Sequence, residues 1–126
     1  MPNIEEASWL VGTEDRSEII AWLHAQGAAC TVLTMGGDGV SICPRGESET
    51  VLPAYAIDVV DTTGCGDAFS SGLISGVIDG LDVFAAAERG LACGSLVATG
   101  LGSDAGIIDR DQVEAFRTTH PRLARV

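Results

Sequence analysis

Residues 61–69 read Asp-Thr-Thr-Gly-Cys-Gly-Asp-Ala-Phe, and an apolar stretch at 73–78 continues on helical spacing. Ile57, Val59 and Val60 precede it, so the segment reads as a β-branched strand, a glycine-punctuated turn and a helix in immediate succession. Such a crossing favours stacked α/β layers. It also has chemical consequences. The first amides of a helix point outward without partners, glycine lets an anion approach the backbone, and a carboxylate in the same turn can take a proton from a neighbouring hydroxyl. Gly64, Cys65, Gly66 and Asp67 therefore suggest phosphoryl transfer. The same residues also fit a plain tight turn in which Asp67 does no more than complement the helix dipole.

The rest of the chain supports an α/β reading. Thr13 is placed to cap a helix running to about residue 26, with Ile19, Ile20 and Leu23 on one face and Gly27 as its left-handed stop. Residues 30–35, 40–43 and 50–52 read as short strands separated by the turn signals Gly36-Gly37-Asp38-Gly39 and 44–49. Ala68, Phe69, Leu73, Ile74, Val77 and Ile78 follow helical spacing up to Gly80, and Gly72-x-x-x-Gly76-x-x-x-Gly80 reads as close packing between soluble helices. Asp82 caps an alanine-rich helix to about residue 98. A glycine loop follows, and Asp109 caps a last helix to about residue 118. With few strands for two long apolar helices, the chain reads as part of a larger α/β domain.

A length of 126 residues allows one ordinary domain, and 46% hydrophobic with 20% charged residues is a globular balance. The net charge of −11, with only 7 Lys and Arg, argues against a nucleic-acid partner. ATP remains compatible, provided backbone amides and a metal ion supply the local positive potential. Cys30, Cys43, Cys65 and Cys93 show no zinc spacing, and reduced thiols in a cytoplasmic protein are the economical reading. No export signal or membrane-length apolar run is apparent.

Competing motifs fail on inspection. Gly64-Cys65-Gly66 and Gly37-Asp38-Gly39 both lack the third small residue of a dinucleotide fingerprint. The chain has no G-x-x-x-x-G-K-[ST] loop, no G-x-S-x-G elbow and no H-E-x-x-H helix.

Residues 61–69 closely resemble the second signature of the ribokinase-like carbohydrate kinases, the PfkB family, whose pattern is D-T-x-G-A-G-D-x-F. Residues 2–7 resemble that family's P-N-x-x-E-A segment, and 32–39 its T-x-G-x-x-G nucleotide loop. Residues 55–60 resemble the strand entering the signature, 91–102 the alanine-rich helix with its glycine loop, and 110–116 the C-terminal helix. The resemblance spans nearly the whole chain, residues 1–126 being the nucleotide-binding and catalytic C-terminal half of a three-layer α/β/α domain. It implies an absent N-terminal half with a first glycine signature, most sugar contacts and a β-lid that often forms a homodimer contact.

By this resemblance, Asp67 is the base that deprotonates a sugar hydroxyl, and the amides of Gly64, Cys65 and Gly66 form an anion hole. Asn3 and Glu6 act near the phosphates through Mg2+ and its waters, while Thr34, Gly36 and Gly39 touch the nucleotide. Without the family, an exposed terminus and an ordinary hairpin turn are the simpler readings of these two groups. A monovalent cation, usually K+, is implied beside the anion hole at Asp61, the Thr63 carbonyl, and carbonyls near Val97, Gly100 and Gly102. Gly106 departs from the pattern, standing where ribokinases can supply a serine ligand. Cys65 replaces the usual alanine with a residue of similar size; it reads as structural, although a helix N-terminus lowers a thiol pKa. His24 and His120 match nothing and read as solvated. The expectation is an ATP-dependent kinase acting on a small sugar-like hydroxyl. The alternatives are a nucleotide- or anion-binding fragment that works with a separate N-terminal half, or a truncated product without independent function.

Overall fold

Asn3 opens a helix that the sequence reading passed over. Its side-chain oxygen accepts the Glu6 N–H at 2.8 Å, while the Glu6 carboxylate accepts the Asn3 N–H at 3.1 Å. This reciprocal capping box satisfies two amides that a helix start otherwise leaves unpaired, and α1 (Ile4–Val11) follows. The computed structural model describes residues 1–100 and 109–123. They divide into two units, Met1–Leu52 and Pro53–Val126.

In the first unit, α2 (Arg16–Ala25) is capped by Asp15 rather than Thr13. The Asp15 carboxylate reaches the Glu18 amide at 3.1 Å, and Thr13 supports it from outside by accepting the Asp15 N–H at 3.1 Å. An antiparallel meander follows: β1 (Cys30–Thr34), β2 (Val40–Pro44) and β3 (Thr50–Leu52), in the order β1-β2-β3 with Val32 opposite Ile42. Ala7, Ile19, Ile20, Leu33 and Cys43 form the core between helices and sheet, flanked by Ile4, Val11 and Leu23. His24 is half-buried rather than solvated: its Nε2 lies 3.0 Å from the Cys43 carbonyl and ties α2 to β2.

Among the described residues, the second unit is helical: α3 (Cys65–Ile78), α4 (Val83–Ala98) and α5 (Arg110–Thr119). Asp82 and Asp109 cap α4 and α5 as expected, each accepting an amide at 2.8 Å. The strand expected at residues 55–60 is reduced to one bridge, Tyr55 with Arg122. The Val60 N–H turns instead to the Ala98 carbonyl at 2.8 Å, so the backbone leaves the extended ladder geometry. His120 is also not solvated; its ring stacks on Phe116 at 4.0 Å between centroids.

Glycines set the α3–α4 distance. A Cβ on Gly72 would sit 2.7 Å from the Cys93 sulfur, one on Gly76 2.8 Å from Ala86, and one on Gly90 2.7 Å from the Phe69 carbonyl. This face buries Phe69 and Leu73, whereas Ile74, Val77 and Ile78 on the other side of α3 stand exposed. At the end of α3, Asp79 receives Arg89 from α4 at 2.8 Å and Arg110 from α5 at 3.0 Å.

Gly90→Ala is expected to lower the unfolding free energy by about 1–2 kcal/mol, because overpacking outweighs the gain in helix propensity. Urea melts followed by circular dichroism read this directly. The Asp79 carboxyl is held below the usual aspartate range, first by the Arg89 hydrogen bond, against some desolvation, and then by the Arg110 and Arg89 charges. A depressed folded-state pKa gives stability that is fully present above the ordinary value of about 3.9 and is lost as pH falls through the folded value. Asp79→Asn is therefore expected to be less stable than the parent at neutral pH, with the two melting curves converging towards pH ~3.

Candidate active site

Residues 60–67 are shaped by backbone geometry more than by side chains. The Ala98 carbonyl, at the end of α4, accepts the amides of both Val60 and Asp61, at 2.8 and 3.2 Å. Asp61 then folds its carboxylate onto the Thr63 N–H at 2.9 Å, and this bond holds its carboxyl below the usual range. Gly64 adopts a left-handed conformation, φ 80° and ψ 0°, which residues with a Cβ rarely adopt, and it caps α3 without any side-chain hydrogen bond.

Of the three amides expected to form the anion hole, that of Cys65 donates to the Thr62 carbonyl at 3.2 Å. Those of Gly64 and Gly66, and that of Asp67, have no acceptor among the described residues. A Cβ built on Gly64 or Gly66 meets no atom within 4 Å, so this turn is open on the side where a side chain would stand. Unpaired helix amides in an open turn fit an anion such as phosphate.

Asp67 projects from the same turn, exposed, with Thr63 and Gly64 at one end of a groove of about 630 Å³. Ser71 and Ser75 of α3, Arg89 and Cys93 of α4, and Arg110 of α5 line its remainder. Sequence reasoning missed these groove residues, which lie far from the signature in the chain. Arg89 carried one signal, as a lone cation in an alanine-rich helix. The Cys65 thiol is pushed up by burial and by the nearby Asp61 charge, so the expected depression at the helix N-terminus is overturned.

The residues expected to hold a monovalent cation are partly gathered in this unit. The Asp61 carboxylate is engaged by the backbone and the side chain of Thr63, and no donor among the described residues reaches the Thr63 carbonyl. The Val97 carbonyl already accepts the amides of Thr99 and Gly100. Gly100 is left-handed at φ 75°, and Gly102 and Gly106 lie outside the described residues.

In the first unit, Asn3 bridges in parallel to Thr34, and the Thr34 N–H donates to the Pro2 carbonyl at 3.3 Å. Thr34 leads straight into a 3-10 turn, Gly36–Asp38, closed by the Met35 amide on the Gly39 carbonyl at 2.9 Å. Gly36 and Gly39 have φ of 55° and 93°, so both positions need glycine. The capping box and this turn thus lie together at one end of β1, with Asn3, Glu6, Thr34, Gly36 and Gly39 in one neighbourhood. Asn3 and Glu6 are exposed, but as a formed helix start and not a loose terminus.

Among the described residues, no group of three or more His, Cys, Asp or Glu gathers to hold a metal ion, and no helix is long and apolar enough to cross a membrane.

The 2-dehydro-3-deoxygluconokinase of Bacillus subtilis (strain 168) is 34% identical over 126 residues, covering 96% of this chain and 39% of that protein. A solved ribokinase from Thermotoga maritima superposes with a TM-score of 0.85 at 25% identity, over 94% of this chain and 41% of its own. Arabidopsis thaliana ribokinase, solved with ribose and ATP, gives 0.81 at 28% identity, over 91% of this chain and 39% of its own. The chain spans about two fifths of the length of the relatives it matches, and over that portion its fold is the α/β fold of ribokinases. The pfkB family carbohydrate kinases match residues 1–110, and on the strength of that match and these relatives the chain belongs to the pfkB family.

Proposed function

We propose that this chain is the nucleotide-binding and catalytic part, residues 1–126, of an ATP-dependent kinase that phosphorylates a hydroxyl of a sugar or sugar-like molecule in the cytoplasm. One observation carries the reading: a carboxylate and unpaired amides share the open first turn of α3, at one end of a groove. Asp67 accepts the proton of the attacking hydroxyl as its oxygen bonds to the γ-phosphorus, and the bond from that phosphorus to the leaving ADP oxygen breaks. The amides of Gly64 and Gly66, joined by that of Asp67, stabilise the charge developing on the phosphoryl oxygens, with Cys65 shaping the turn. Thr34, Gly36 and Gly39 contact the nucleotide. Asn3 and Glu6 would act towards the phosphates through Mg2+ and its waters, and the ion would supply charge neutralisation there. Asp61, Thr63, Val97, Gly100 and Gly102 are the candidates for a K+ site.

The relatives' names support a sugar, a sugar acid or a nucleoside as acceptor: one is a 2-dehydro-3-deoxygluconokinase, another is solved with ribose and ATP, and others are pseudouridine and cytidine kinases. A second reading, in which these residues bind nucleotide without turnover unless joined to further polypeptide, is favoured by the exposed Ile74, Val77 and Ile78. Apolar side chains on one helix face are normally covered in a finished domain. Calorimetric titration of the 126 residues with Mg-ATP, beside a kinase assay over a sugar panel, separates the two. Turnover by the chain alone excludes the second reading, and binding without turnover supports it.

In a turnover-competent enzyme carrying these residues, Asp67→Asn is expected to reduce kcat by about 10²–10⁴-fold while ATP affinity changes little. Near-normal turnover would remove Asp67 from the role of base. Gly66→Ala places a Cβ in space that is open in the fold and gains helix propensity, so its melting temperature should equal or slightly exceed the parent's. Mg-ATP affinity, read by calorimetry, should drop about tenfold, because the methyl group obstructs approach to the amides.

A further inference from the structure

After α5 the chain turns back along the segment that leads into the signature. The Ala56 N–H donates to the Pro121 carbonyl at 2.7 Å and the Leu123 N–H to the Ala54 carbonyl at 2.7 Å, forming two rungs of an antiparallel pair around the Tyr55–Arg122 bridge. Arg122 locks the pair from above. Its guanidinium lies 5.0 Å from the Tyr55 ring centroid, donates to the Pro53 carbonyl at 3.3 Å, and meets Glu88 of α4 at 3.2 Å. Glu88 also receives Arg117 of α5 at 3.3 Å, and Tyr55, only 4% exposed, meets Phe116 edge-on at 5.2 Å.

Among the described residues, the backbone of the signature's leading segment is hydrogen-bonded at two places. One is the strap at residues 121–123, and the other is the Ala98 carbonyl that accepts Val60 and Asp61. Between them, no hydrogen bond to other described residues supports 57–59, and Asp58 and Val59 are exposed. A span of only three residues limits how far one attachment can move relative to the other. We infer that the strap is a positioning element for the anion-holding turn, with Arg122 as the positioning residue that couples the α4–α5 pair, through Glu88, to the lead-in of Asp61. The consequence for phosphate binding rests on the function proposed above; the coupling itself does not.

The test is site-resolved amide hydrogen exchange on the 126-residue chain, its Arg122→Ala and Arg122→Lys variants, and Glu88→Gln as a milder change should the alanine variant fail to fold. With Arg122→Ala, exchange at Val60 and Asp61 is expected to rise about tenfold while Leu91 and Cys93, inside the α3–α4 packing, keep their protection. The lysine variant should fall between, because an ammonium can pair with Glu88 but lacks the fork that also reaches Pro53. Glu88→Gln should show the same local pattern. Unchanged exchange at Val60 and Asp61 while Ala56 and Leu123 open would overturn the coupling. A uniform rise across all three helices would also overturn it, since that marks a purely stabilising role. Repeating the measurement with Mg-ATP separates the two ideas: protection of Gly66 and Asp67 in the parent chain, weakened in Arg122→Ala, supports the functional consequence. If the parent shows no protection there, these amides do not hold the nucleotide in this chain, while exchange at Val60 and Asp61 still decides the role of the strap.

Discussion

The near contact of α3 with α4, made possible by Gly72, Gly76 and Gly90, is the constraint on which the rest of the helical unit depends. With side chains absent at those positions, the Phe69 carbonyl and the Gly90 backbone meet almost directly, and Gly94 comes close to the Cys65 carbonyl. The first turn of α3 therefore lies against the last turns of α4. One turn further on, the Ala98 carbonyl takes up two amides of the incoming chain. The position of the unpaired amides of Gly64 and Gly66 is thus decided by a helix contact that reaches from Cys65 to Gly76. Directional side-chain bonds contribute less, since the cap of α3 is a glycine without any. Such a site depends on packing at nearly atomic tolerance, because interiors adjust poorly to even one added methyl group.

What was legible in the sequence was what is local. Asp82 and Asp109 declared their helices, because an N-cap acts on amides two or three residues away. The meander of β1 to β3 followed from its turn residues, and the turn at Gly64 followed from spacing alone. The helix Ile4–Val11 is not among the expected elements although Asn3 and Glu6 stand at capping-box spacing, because a single short cap signal does not by itself mark a helix. Thr13 and Asp15 are both good caps, and which one wins depends on which oxygen reaches the Glu18 amide, a matter of ångströms that propensity does not resolve. The strand at 55–60 failed for a different reason: β-branched composition describes a residue's preference, whereas a strand needs a neighbour. Tyr55 found one partner 67 residues downstream, and Val60 turned to a helix end instead. Periodicity likewise showed apolar residues around much of α3, and only the structure shows that the glycine side is the one packed on α4.

The charge balance explains why the site takes the form it does. All 7 basic residues are arginines, and each of the six within the described residues is engaged: Arg16, Arg89, Arg110, Arg117 and Arg122 with carboxylates, and Arg45 with the carbonyls of His24 and Ala28. A chain of net charge −11 that commits its cations to its own acids has few side chains left with which to hold a triphosphate. Positive potential must then come from groups that carry no formal charge, namely the amides at the start of a helix, or from a metal ion brought with the nucleotide. In the function proposed, Gly64 and Gly66 are the candidates for the first, in a turn where a built Cβ meets no atom within 4 Å. This arrangement also suits the chemistry proposed. An arginine permanently paired at the cradle would hold substrate and transition state alike, whereas dipoles fixed by packing favour the charge that develops as the phosphoryl group moves. Asp67 can stand in the same turn as an open carboxylate because no cation among the described residues lies in an ion pair with it.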